Sequence, residues 1–169
     1  MRRTLDALYD GAAWLAALLM IGVLLMVLTS VVGRLMDVYV RGTDAYAGYC
    51  MAGAGFLALA HTLKKNEHIR VTLVLNALHG RSRHALEIWA LTAAVLLAAL
   101  FASFSVRLAY QSWTFNDVST GNDATPLWIP QMAMALGAVV LLIAFIDEWV
   151  LELRGRRRQA GSDEALHNE

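Results

Sequence analysis

Charge is scarce in this sequence. Asp, Glu, Lys and Arg make up 17% of its 169 residues, against about a quarter in a soluble domain. Hydrophobic residues reach 58%. Cysteine is limited to Cys50, set inside an apolar run. A single thiol excludes an internal disulfide and a paired metal or redox site, and it reads as a small hydrophobe. No hydrolase triad, phosphate-binding glycine loop or metal motif occurs, and Gly53-Ala54-Gly55 falls inside an apolar run. No enzyme activity and no cofactor are expected on these grounds. The basic residues adjoin apolar runs, which suits a membrane rim and not a nucleic acid. Internal repeats and low-complexity segments are absent too. The length leaves no room for a second folded unit of about 100 residues, so residues 1–169 read as one membrane domain.

Four apolar runs are present, at 12–33, 45–63, 88–106 and 126–146, and none contains Asp, Glu, Lys or Arg. Each approaches the roughly 20 residues that cross a 30 Å hydrocarbon core. A spanning segment must satisfy its own backbone hydrogen bonds, so each reads as a helix. Continuous apolarity excludes the alternating strands of a barrel. The fold class is therefore all-α, an integral membrane protein with four transmembrane helices. Arg2 and Arg3 precede the first run as in a signal peptide, but the run exceeds the usual 7–15 residues and reads as a retained helix.

Orientation follows from the basic residues. With four spans, Arg2, Arg3, Lys64, Lys65, Arg70, Arg81, Arg83, Arg154, Arg156, Arg157 and Arg158 share one side, and Arg34, Arg41 and Arg107 the other. The richer side, with both termini, is expected to be cytoplasmic. Trp14, Trp89 and Trp149 fall near that side, and Trp113 and Trp128 near the opposite one, as an aromatic belt would. Between the second and third spans, Glu67–His79 places Ile69, Leu73 and Ala77 on one helical face. It is too short to span and reads as an amphipathic helix lying in the interface. The tail 155–169 reads as frayed.

The spans lack the ionisable groups that ion-coupled carriers place in the membrane. His61, near the inner end of the second run, is the exception. Thr29, Ser30, Thr92, Ser103 and Gln131 read as bonded to helical carbonyls or to neighbouring helices. His61, His68, His79 and His84 gather on the basic side, which raises an alternative: a haem-binding membrane anchor of a respiratory enzyme. Their neighbours Lys64, Lys65 and Arg70 suit anionic headgroups better. Gly48, Ala52 and Gly55 form a small-residue stripe for close helix approach, within this chain or with a partner. Arg34 and Arg41 bracket Asp37, with Asp44 following. They read as local surface pairs or as a contact for a soluble partner outside.

Three stretches carry a family resemblance. Val31-Val32-Gly33-Arg34 closes the first span. Leu63-Lys64-Lys65-Asn66-Glu67-His68-Ile69-Arg70-Val71 follows the second. Ala124-Thr125-Pro126-Leu127-Trp128-Ile129-Pro130-Gln131 opens the fourth. With the span pattern, they resemble the DctQ-type small permease subunit of tripartite ATP-independent periplasmic (TRAP) transporters. Before the second span, Gly42-Thr43-Asp44-Ala45-Tyr46 offers one acid where that family has a Trp and two acids. The resemblance implies a large multi-span permease (DctM-type) as partner and a periplasmic protein that captures an organic acid anion. Transport would be sodium-driven, with substrate and sodium sites in the large subunit. The small subunit would widen the static scaffold and help to dock the binding protein. Arg34, Arg41 and Asp44 would then face the periplasm, while Lys64, Lys65, His68 and Arg70 would touch membrane lipids or the large subunit.

Overall fold

The computed structural model describes residues 2–38, 40–64, 81–121 and 124–153. Among them are four helices: α1 (Arg2–Leu35), α2 (Thr43–Lys64), α3 (Arg81–Thr114) and α4 (Trp128–Leu153). The chain is all-helical as expected, apart from an isolated bridge between Val118 and Pro126. α1, α3 and α4 are long and apolar enough to cross a membrane. α2 has 22 residues but mixes glycines, tyrosines, His61 and Thr62 among its apolar side chains, and it is not one of those three. The expected interfacial helix at 67–79 and the tail at 155–169 lie outside the described residues.

The helices outrun the apolar runs. The run at 12–33 sits within Arg2–Leu35, and the run at 88–106 within Arg81–Thr114. The fourth helix begins at Trp128 and continues past Ile146 to Leu153. Apolar length measures hydrocarbon thickness, whereas a hydrogen-bonded helix continues into the headgroup layer until something caps it. Arg34 and Arg107, expected in connecting loops, are therefore helical.

α1 and α3 are capped alike. After α1, Asp37 takes a left-handed φ of 53°, Val38 N–H donates to Gly33 O at 2.8 Å and Asp37 N–H to Arg34 O at 3.4 Å. After α3, Asn116 takes the same φ, Asp117 N–H donates to Ser112 O at 3.0 Å and Asn116 N–H to Trp113 O at 3.2 Å. Both are Schellman closures with Asp or Asn in the position that glycine usually fills. The first explains Gly33, because a Cβ there would stand 2.7 Å from Val38 O. The longer α3–α4 connection is tied by the Val118–Pro126 bridge and by Ser119 N–H donating to Thr125 O at 2.8 Å. Pro130 falls in the first turn of α4, where its missing N–H has no helical partner to lose.

The helices stand in a row. α1 packs along α2, α2 along α4, and α4 along α3, while α1 touches α4 only slightly. The first two are antiparallel neighbours. Asp44 meets Ser30 at one end, Cys50 meets the Gly22 position, Gly53 meets Leu19, Leu57 packs with Ala12 and Ala16, and Ala60 and Leu63 pack with Tyr9 at the other end. Buried positions are mostly alanines: Ala12, Ala16, Ala54, Ala60, Ala98, Ala102, Ala135, Ala138 and Ala144. On α3, Ala98, Ala102, Ser105 and Ser112 make one seam at heptad-like spacing. Large side chains point away, among them Leu18, Leu24, Leu96, Leu97 and Phe104, all more than half exposed. Small residues inside and large apolar ones outside suit a lipid solvent, where close backbone approach drives packing and an apolar exterior is not penalised.

Candidate functional site

Two groups of the expected interaction residues fall on this row among the described residues. At the end where the α1–α2 and α3–α4 connections lie, Arg34 Nη2 stands 3.6 Å from Asp44 Oδ2. Both side chains are exposed, at 75% and 80%, so the pair is worth under about 1 kcal/mol. Ser30 Oγ donates to Asp44 Oδ1 at 3.3 Å. Between them lies a cleft of about 200 Å³ lined by Ser30, Arg34, Val38, Val40, Gly42 and Thr43. Arg41 is exposed on the turn nearby. The second connection joins this end through Thr125 Oγ1, which donates to Tyr46 Oη at 3.2 Å.

Along α2, the stripe of Gly48, Ala52 and Gly55 faces outward. A Cβ added at Gly48 or Gly55 would meet nothing within 4 Å. Of the two contacts expected for this stripe, the one within the chain is not made among the described residues. The close approach uses the opposite face. A Cβ at Gly53 would come to 2.9 Å from Leu19 Cδ1, and one at Gly137 on α4 to 2.6 Å from the Phe56 carbonyl carbon. The outward stripe lines a shallow groove of about 480 Å³ with Met51, Phe56 and Leu59.

At the opposite end, two histidines meet carboxylates across helix pairs. His61 Nδ1 of α2 stands 3.6 Å from Asp10 Oδ1 of α1. His84 Nδ1 of α3 stands 2.9 Å from Glu152 Oε1 of α4, and Glu152 is 1% exposed. One layer further in, Trp149 Nε1 donates to Thr92 Oγ1 at 3.0 Å, and Thr92 donates to Ile88 O at 2.7 Å. His84, Glu87 and Glu152 bring three donor atoms within 4.8 Å, a set able to hold a metal ion. The 2.9 Å hydrogen bond gives the buried carboxylate a partner, so the pair reads as a clasp between α3 and α4. Sequence alone did not signal it, because Glu152 and His84 both lie outside the apolar runs. Lys65, His68 and Arg70 lie outside the described residues, as does the Lys64 side chain.

Of the uncharged polar groups expected to be bonded, Thr29, Ser30, Thr92 and Ser103 are, whereas Gln131 Oε1 is buried without a hydrogen-bond partner among the described residues. Thr29 donates to Leu25 O, Thr92 to Ile88 O and Ser103 to Leu100 O, each within its own helix. Residues 23–155 match the family described as tripartite ATP-independent periplasmic transporters, DctQ component. The chain belongs to the DctQ family. No curated protein matches it. A DctQ component is the small subunit of a TRAP transporter, an integral membrane protein of a transport system and not a member of an enzyme family. DctQ membership gives the haem-anchor alternative no support, and His61 and His84 each face a carboxylate instead.

Proposed function

We propose that this DctQ chain is a four-span scaffold subunit in a sodium-driven, binding-protein-dependent transporter for an organic acid anion, a C4-dicarboxylate or similar carboxylate. It packs against the large permease subunit as a static frame and helps to dock the periplasmic binding protein. The observation that carries this reading is the row α1–α2–α4–α3, with small residues between helices and large apolar ones on its open faces. A row encloses no central path. It has the form of a wall, and a wall set beside a moving domain holds that domain in register with the bilayer.

The second span is supported by packing. α2 lies antiparallel along α1 from Ser30–Asp44 to Tyr9–Leu63, over about 30 Å at 1.5 Å per residue. If α1 crosses the bilayer, α2 sits at the same depths. Both termini are then cytoplasmic in the inner membrane, and the Arg34–Asp44 end with the tied α3–α4 connection faces the periplasm. That end offers Arg34, Arg41 and Asp44 to a docked binding protein. Lys64, Lys65, His68 and Arg70 meet headgroups or the large subunit on the cytoplasmic side.

The test is uptake of labelled C4-dicarboxylate by cells that carry the large permease and the binding protein, with and without this chain. Removing the chain is expected to abolish sodium-dependent uptake while the permease stays in the membrane. Undiminished uptake in its absence would overturn the proposal.

A further inference from the structure

Between Trp89 and Trp113 of α3, the sequence places one charged residue, Arg107. Its depth can be read from the tryptophans. Trp113 and Trp128 pack with ring centroids 5.8 Å apart and planes tilted by 31° at the outer end, and Trp149 bonds Thr92 at the inner end. Such aromatic layers mark the two interfaces. Arg107 lies about 9 Å inward of Trp113 along the helix axis. It is exposed on the outside of the row, and it has neither an ion pair nor a hydrogen bond among the described residues.

A guanidinium at that depth is costly unless an anion or other acceptor meets it. Helical side chains lean toward the helix N-terminus, and the N-terminus of α3 is at the inner end. Arg107 therefore leans toward the bilayer centre, away from the outer headgroups, which works against reaching a lipid phosphate. Gln111 stands one turn further out on the same side and is exposed too. The two form a polar patch on an otherwise apolar surface that includes Leu100 and Phe104. Its chemistry matches a carboxylate held on another membrane helix: the guanidinium fork takes both oxygens, and an amide stands beside it.

We propose that Arg107, with Gln111, is where a membrane helix of the large permease attaches to this chain, through an acidic side chain of that helix. This rests on the scaffold reading given above, and it assigns the α3 edge of the row to the partner.

The test is co-purification of the permease with the tagged full-length chain, co-expressed and extracted in mild detergent. Arg107→Glu is expected to lower the recovered permease by at least roughly tenfold, as when one partner of a buried charge pair is lost. Arg107→Leu removes the charge and stays compatible with lipid, so it must show a comparable loss with unchanged thermal stability of the small subunit. On a Cys50→Ala background, Gln111→Cys is expected to cross-link to the permease. If the unaltered chain recovers no permease, the scaffold reading itself falls. If the unaltered chain recovers it and both Arg107 variants do so equally, the permease attaches elsewhere and this inference is overturned. Loss of bound phospholipid from those variants, with permease recovery intact, would overturn it in favour of a lipid anchor.

Discussion

At the scale of single residues, the glycines separate packing from surface. Gly137 has no room for a methyl group, since its Cβ would stand 2.6–2.7 Å from Phe56 carbonyl and side-chain atoms. Backbone cannot yield as a flexible side chain does, so α2 and α4 would have to part. Gly137→Ala is expected to cost about 1–3 kcal/mol through overpacking, exceeding the helix-propensity gain of roughly 0.5–1 kcal/mol. Gly48→Ala, with open space around it, is expected to leave stability unchanged or slightly raised. Thermal unfolding of both variants in detergent checks this, and equal melting temperatures would show that the α2–α4 contact is not close. The sequence pointed to small residues on the second span but named the stripe Gly48, Ala52 and Gly55, whereas the buried face is Gly53, Ala54, Leu57 and Ala60. Spacing finds a stripe, and two stripes of small residues run along this helix. Which of them meets a neighbour depends on the partner helix, and the residues in α2 do not encode that.

At the scale of helices, the ends were least legible. Absence of charge located the apolar runs, but Arg107 and Arg34 are carried inside helices that close only where Asn116 and Asp37 adopt left-handed φ. Those closures depend on Ser112 and Gly33 carbonyls one turn back, a relation between positions that a hydropathy count does not register. The inner ends carry another such relation, the bond between His84 and buried Glu152. Glu152→Ala removes the acceptor of this bond and leaves a void where a side chain of 1% exposure stood, with an expected loss of about 1–3 kcal/mol. Glu152→Gln keeps volume and one polar contact to the imidazole, so most of that stability should remain. Unfolding curves for the two variants decide the matter. An Ala variant as stable as the parent would mean that α3 and α4 are held without the clasp.

At the scale of the whole molecule, the question is whether α2 crosses with the others. Three helices are apolar enough by themselves, and the family match over 23–155 fixes the kind of system without fixing the path of the chain. Two arrangements make opposite demands. If α2 spans, the basic stretch containing Lys64, Lys65, Arg70, Arg81 and Arg83 is cytoplasmic, and Ser119 in the α3–α4 connection is periplasmic. If α2 stays outside, α3 enters from the other side, so those basic residues move to the periplasm and Ser119 to the cytoplasm. The second arrangement also reverses the expected bias of Lys and Arg and pulls α2 away from the face of α1 that it covers. Single cysteines introduced at Ser82, in the first turn of α3, and at Ser119, in the α3–α4 connection, report the difference on a Cys50→Ala background. An impermeant maleimide is expected to label Ser119→Cys in intact cells and Ser82→Cys only after permeabilisation. The reversed pattern would mean three spans and would detach the scaffold proposal from the packing of α1 on α2.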